Sequence, residues 1–282
     1  MESRSRGPYN PAVFSGSGVM QDQMEIVFLG SGTSHGVPMI GCDCRVCRSD
    51  DPRDKRFRAS VAIRLPPGPP TDGRVILIDI SPEFRLAAVA CRLERVDAVL
   101  FTHGHADHIM GLDDLRRYNN IIERTIPCYA DAGTLEILKR CFGYAARGYD
   151  HPDRPSISLE PIDRPRDICG VPVLPVPMIH GRTPVLGFRI GRFAYCTDCS
   201  VIPESSMALL ADLDLLVLDA LRYTPHPAHF NLAQALEVVG RLRPGRTLLT
   251  HVAHEMGHAE ASAKLPASVE LAYDGLRATA RF

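Results

Sequence analysis

One stretch constrains this chain more than any other: Thr102-His103-Gly104-His105-Ala106-Asp107-His108. It packs three imidazoles and one carboxylate into six residues. The apolar run from Val96 to Phe101 predicts a strand in front of it. Behind it, His108, Leu112 and Leu115 follow at spacings of four and three, which predicts a helix. The polar side chains therefore fall in a strand-to-helix loop, where a rigid scaffold can aim them and an ion can still reach them. His103 and His105, one residue apart, can share one ion, while Asp107 and His108 can face a second. Imidazole and carboxylate together suit zinc, manganese or iron. A structural site would use four ligands with no open position, a different arrangement from this one.

A second dense cluster precedes it, Cys42-Asp43-Cys44-Arg45-Val46-Cys47. Three thiols at this spacing are too close for ordinary core packing. They supply three corners of a tetrahedral zinc site whose fourth ligand lies elsewhere. The chain carries nine cysteines, an odd number with uneven spacing, which argues against a secreted disulfide framework and for the cytoplasm. With 282 residues it can bury a full core. The formal net charge of −1 offers no electrostatic case for nucleic acid or a membrane surface. There is no apolar run long enough to span a bilayer and no leader-like apolar segment near the start. Residues 1–23, rich in Ser, Gly, Pro and Arg, read as a flexible tail.

The histidine stretch resembles the His-x-His-x-Asp-His signature of the metallo-beta-lactamase superfamily. That resemblance implies an α/β fold, an αββα sandwich of two mixed sheets with outer helices, spanning residues 24–282 as one domain. It also implies two divalent metals, manganese or zinc, and further ligands downstream. His180, at the end of an alternating strand from Val171, matches the third imidazole of the first metal. Asp198, in Tyr195-Cys196-Thr197-Asp198, matches the carboxylate that bridges both ions. His251, after the apolar strand Arg246 to Thr250, matches the last ligand. Asp79, closing the apolar run Val75 to Ile78, matches a buried residue that orients the metal loop and is not itself a ligand. The cysteine insert, residues 41–58, narrows the resemblance to PhnP-like cyclic phosphodiesterases, in which a C-terminal histidine completes a structural zinc site. His254 takes that place beside Cys42, Cys44 and Cys47. PqqB-like proteins share such an insert.

Other residues carry weaker expectations. Gly30 to Gly36 forms a glycine-rich turn after the first strand, not a dinucleotide fingerprint, because its spacing is wrong and no helix pattern follows. The resemblance places this turn near the metals, with Ser34 and His35 as candidate substrate contacts. His229 matches a loop histidine expected at phosphate or at the leaving oxygen, ahead of a helix that Asn231 can cap. His226 is read as part of the rim. Cys128 and Cys141 are read as buried small hydrophobes, Cys196 and Cys199 as bystanders beside Asp198. Tyr144 to Pro155 is expected at the mouth of the site. Arg246 to Thr250 is read as the last sheet strand, with Val269 to Leu276 as a closing edge segment.

The expected activity is metal-dependent hydrolysis of a small phosphodiester, phosphoribosyl 1,2-cyclic or nucleoside 2′,3′-cyclic phosphate, to a phosphomonoester. Asp107, Asp198 and His229 are the expected catalytic residues. The expected partner is a small molecule, with no membrane and no strong nucleic-acid signal; a homodimer is left open. Two other readings compete. A tRNA 3′-end endonuclease needs a basic arm, and only scattered arginines are present. A non-catalytic, PqqB-like accessory protein would show degraded ligands, and here the set is intact.

Overall fold

The computed structural model describes residues 22–146 and 153–282. Fourteen strands form two seven-stranded sheets among the described residues. The first sheet holds β1 (Gln23–Gly30), β2 (Ser60–Arg64), β3 (Val75–Ile78), β4 (Ala98–Leu100), β5 (Ile126–Ala130) and β6 (Ile157–Pro161) in chain order. The second holds β7 (Arg166–Ile168), β8 (Val171–His180), β9 (Thr183–Ile190), β10 (Phe193–Cys196), β11 (Leu215–Asp219), β12 (Arg246–Thr250) and β13 (Val269–Leu271). β14 (Arg277–Arg281) returns to the first sheet and pairs with β1 at its edge.

Both sheets are mixed. β1, β2 and β3 pair antiparallel, and β3 to β6 pair parallel. β7 to β10 pair antiparallel, and β10 to β13 pair parallel. Parallel strands covered on both faces read as unbroken apolar runs, which is how β3, β4 and most of β11 are written. The inner faces meet in one core, with Phe28, Ile63 and Ile78 from one sheet against Val173, Phe188 and Val217 from the other. The outer face of the first sheet is covered by α1 (Phe84–Ala90), α2 (Ala106–Ile109), α3 (Leu115–Ile122) and α4 (Ala132–Phe142). The second is covered by α5 (Glu204–Met207), α6 (Leu232–Leu242) and α7 (His258–Ser262). The order is therefore helix, sheet, sheet, helix, as expected. No helix among the described residues is long and apolar enough to cross a membrane.

This topology places the site. Asp79 follows β3, Thr102 follows β4, Asp198 follows β10, Asp219 ends β11 and His251 follows β12. All lie at carboxyl ends of parallel strands, where open α/β sheets leave a crevice for ligands.

Several expectations need correction. The helix after the histidine stretch is broken: α2 ends at Ile109, a 3-10 turn spans Leu112–Asp114, and α3 starts at Leu115. Gly111 sits at the break, and a Cβ there would lie 2.1 Å from the Ser81 carbonyl oxygen. The tail boundary moves, because Gln23 already pairs with Arg281. β12 is not the last strand. β13 and β14 follow it, and the exposed–buried alternation of Arg277–Arg281 fits an edge strand with one face on the core. Cys128 is buried, but Cys141 is exposed on α4, where Leu138 and Phe142 fill the inward positions. At the expected mouth, Tyr144 donates to Asp113 at 2.7 Å. Residues 147–152 of that segment lie outside the described residues.

Candidate metal centre and its pocket

Asp79 anchors the centre. Its carboxylate is fully buried and accepts from the Thr102 amide at 2.8 Å, the Thr102 hydroxyl at 2.8 Å and His108 Nδ1 at 2.7 Å. An ionised carboxylate only accepts, so His108 Nδ1 carries its proton and Nε2 is left for the crevice. The same reasoning runs one bond further. The Thr102 hydroxyl spends its proton on Asp79, so it accepts from His103 Nδ1, 2.9 Å away, and His103 Nε2 is left free. His180 Nδ1 donates to the Ala228 carbonyl at 2.7 Å, and His229 Nδ1 donates to Asp219 at 2.7 Å. Four imidazoles thus have their tautomers set by acceptors on their outer side, as imidazole ligands of metals generally do.

The freed nitrogens converge into two groups. In the first, ligand atoms of His103, His105 and His180 all lie within 4.8 Å of one another, with His103 Nε2 2.8 Å from His105 Nδ1. In the second, Asp107, His108, Asp198 and His251 meet the same limit. Asp198 stands between them: its Oδ2 is 3.1 Å from His108 Nε2 and 3.9 Å from His103 Nε2, and its Oδ1 is 3.2 Å from His251 Nε2. The donor set fits divalent metals. His251 Nε2 is buried and makes no well-aligned hydrogen bond although Asp198 Oδ1 is only 3.2 Å away, an arrangement that an ion held between them would satisfy. The carboxylates make the second group electronegative. Burial opposes charge on His108, yet Asp198, Asp79 and Asp107 outweigh it and raise its pKa well above the ordinary value. His251, against the same burial, is carried by Asp198 and Asp107 up to about 10. In the first group burial wins, and His103 is pushed well below its usual range.

The cysteine cluster forms a third, separate group. Cys42, Cys44, Cys47 and His254 offer ligand atoms within 4.8 Å of one another. His254 Nδ1 lies 3.2 Å from the Cys42 sulfur and 3.3 Å from that of Cys44. Cys44 accepts from the Cys47 amide, which with His254 brings its thiol down to about 6. Three thiols and one imidazole can close a tetrahedral zinc site with no open position. Only two residues separate His251 from His254, so one loop serves both centres. Buried Arg56 clamps this loop, donating to the carbonyls of Ala253 at 3.0 Å and Met256 at 2.7 Å.

A pocket of about 290 Å3 opens beside His229. Ser34, His35, Arg222, His226 and Glu255 line it, and His254 forms part of its wall. Ser34 and His35 line this pocket together with His229, carried there by the glycine-rich turn. The Ser34 carbonyl accepts from Arg58 at 2.7 Å, which steadies that turn. His226 Nδ1 accepts from the Ala228 amide at 3.2 Å, so its Nε2 is the donor, consistent with a rim position. Cys196 and Cys199 are buried, and neither belongs to a group of candidate ligand atoms among the described residues.

Sequence reasoning missed Asp219. It is fully buried, and its Oδ2 accepts from both His229 Nδ1 and the Cys199 amide at 2.9 Å. A signal was present: Asp219 closes an apolar strand as Asp79 does. Ligand atoms of Asp198, Asp219, His229 and His251 also cluster within 4.8 Å, and the His229 and His251 rings stack at 4.7 Å. Asp219 orients His229 through Oδ2, while its Oδ1, buried without a hydrogen bond, is left as a further ligand atom.

The beta-lactamase superfamily domain model matches residues 74–252, more than half of the chain. A structure described as a new diphosphatase from the PhnP family is 41% identical, with a TM-score of 0.83, covering 90% of this chain and 97% of that one. The chain belongs to the metallo-beta-lactamase superfamily, a class of metal-dependent hydrolases, and within it is PhnP-like. An octanoyltransferase of Porphyromonas gingivalis is 39% identical over 260 residues, covering 90% of this chain. The chain spans only 51% of that protein's length. Zinc-bound PqqB from Methylobacterium extorquens shares the fold at 20% identity and a TM-score of 0.72, covering 90% of this chain and 99% of that one.

Proposed function

We propose that this chain hydrolyses small phosphodiesters, ribose cyclic phosphates ahead of linear ones. His103, His105 and His180 would hold one divalent metal, Asp107, His108 and His251 a second, and Asp198 would bridge them. Cys42, Cys44, Cys47 and His254 would hold a structural zinc. Bound divalent ions supply Lewis acidity toward phosphoryl oxygens and activate water. The observation that carries the reading is the Asp219–His229 pair beside this donor set. With Nδ1 committed to Asp219, His229 can deliver a proton from Nε2 to the departing alkoxide oxygen as water adds to phosphorus and one P–O bond breaks, and the proton that the attacking water sheds restores it. In a five-membered cyclic phosphate both ester oxygens belong to one ribose, so this single cut gives a phosphomonoester. Ser34, His35 and His226 would hold the phosphoryl oxygens and the sugar.

A second reading, cleavage of a linear diphosphate, is favoured by the 41% identical relative described as a diphosphatase. Room for a larger leaving group exists in the pocket between His229 and Glu255. The test is a substrate panel with zinc or manganese added: both cyclic phosphate classes, bis-p-nitrophenyl phosphate, a nucleoside diphosphate sugar, pre-tRNA, a lactone, a beta-lactam and an octanoyl thioester. Cyclic diester turnover lost in His229→Ala is the expected result. Turnover of the diphosphate alone selects the second reading. Turnover of only the lactone, pre-tRNA or thioester overturns both, and no turnover with metals loaded points to an accessory protein.

A further inference from the structure

A second concave site lies on the outer helical layer, and none of its lining residues belongs to the centre or pocket described above. The groove runs between α1 and α3 and has a volume of about 570 Å3. That is within the roughly 300–1,000 Å3 typical of small-molecule sites, which combine an apolar lining with a few placed polar groups. Its floor is apolar and buried: Phe84, Ala88, Leu93 and Tyr118. The Tyr118 hydroxyl donates to the Leu93 carbonyl at 2.9 Å, which ties α3 to the turn after α1 and turns the phenol's polar atom away from solvent. At the rim, Val89 is 70% exposed and Ile121 45% exposed. Large apolar side chains held in water beside an apolar floor mark a surface built for contact.

The groove is also basic. Arg85, Arg92, Arg116 and Arg117 line it, against Glu94 and Asp114. Arg116 is engaged by Asp113 at 3.4 Å. The guanidinium groups of Arg92 and Arg117 have no hydrogen-bond or ion-pair partner among the described residues. Two unpaired guanidiniums beside an apolar trough are chemically specific: they suit a planar or tetrahedral oxyanion joined to a hydrocarbon.

We propose that this groove binds a single-chain amphiphile with an anionic head, a carboxylate or a phosphate monoester. The tail covers Phe84, Ala88, Leu93 and Tyr118, and the head meets Arg92 and Arg117. Charge disfavours the nearest alternatives. In a two-fold dimer through this face four arginines with only Glu94 and Asp114 among them would meet the same set, leaving an excess of positive charge in the interface. The chain's own first 21 residues carry Arg4 and Arg6 against Glu2, the wrong sign to fill it.

The test uses the full-length, metal-loaded protein and titration calorimetry below the micelle concentration. The probes are dodecanoate, dodecyl phosphate and the cationic dodecyltrimethylammonium. Saturable one-to-one binding of an anionic probe, and not of the cation, is expected. The relative affinity of the two anionic probes tells which head group the site prefers. Arg92→Glu and Val89→Asp, both on the exposed rim, should each weaken binding about tenfold or more, the scale of a lost charge-assisted contact. Ile40→Asp, at a 96% exposed residue elsewhere, should leave affinity unchanged. None of the three should change metal content or hydrolytic turnover. Absence of saturable binding, equal binding of the cation, or affinity indifferent to Arg92 and Val89 overturns the proposal. Self-association abolished by Val89→Asp, with no probe bound, would assign the groove to a second copy instead.

Discussion

Asp79→Asn isolates the network beneath the metal centre. Asp79 sits at φ 61, a left-handed conformation that asparagine also tolerates, so the backbone should not resist the change. The side chain is fully buried and holds three donors, at 2.8, 2.8 and 2.7 Å. An amide replaces one accepting oxygen with an NH2 group. If the amide oxygen faces the Thr102 amide, the NH2 confronts His108 Nδ1–H. If it faces His108, the NH2 confronts the Thr102 amide. In the second orientation a buried N–H loses its acceptor, which costs about 1–3 kcal/mol; in the first, His108 escapes that cost only by changing its tautomer. The second effect falls on metal. His108 can turn its proton to Nε2, and the relay from Thr102 to His103 loses its end point. Losing such an outer partner costs about 10–100-fold in metal affinity. Urea unfolding of the metal-stripped variant reads the first loss. Zinc titration against a chelating indicator reads the second, which should appear at the two histidine-rich groups and not at the cysteine cluster. An unchanged unfolding midpoint together with unchanged zinc affinity would refute the tautomer argument, because it would mean that Asp79 holds no proton-bearing partner in place.

Four further outcomes follow, three from the separation of the centres and one from the Asp219–His229 pair. Elemental analysis of the native protein should find three tightly held ions per chain, because three ligand groups share no residue with one another and the fourth borrows Asp198 and His251 from the second; a single ion would break the division. Cys44→Ser should lose zinc and lower the unfolding temperature, since structural zinc contributes directly to folding free energy. His105→Ala should abolish turnover and leave the fold intact; equal thermal shifts with both variants active would reject those roles. Asp219→Asn should slow hydrolysis of an alkyl diester on the order of 100-fold while sparing bis-p-nitrophenyl phosphate, whose leaving group needs little protonation. Equal losses on both substrates would remove His229 from the proton-transfer step.

What the sequence determined by itself was local. Thr102 to His108, the three cysteines and the apolar runs that end in Asp79 and Asp219 are short-range patterns, written where strand geometry and ligand chemistry both leave their mark. They sufficed to recognise the family resemblance, and it was that resemblance which implied two mixed sheets between helices and named the downstream ligands; Asp219, closing a run of the same kind, went unread. Only the tertiary structure decided which distant groups meet. The Thr102 hydroxyl reads His103 because Asp79, 23 residues away, takes its proton. His254 reaches Cys42 across 212 residues because Arg56 clamps the loop that follows β12. The pairing of Asp219 with His229 and the basic groove between α1 and α3 have the same origin. A hydrogen bond or a cavity wall belongs to two elements at once, and their relative placement is set by packing of the shared core rather than by the spacing of residues along either one.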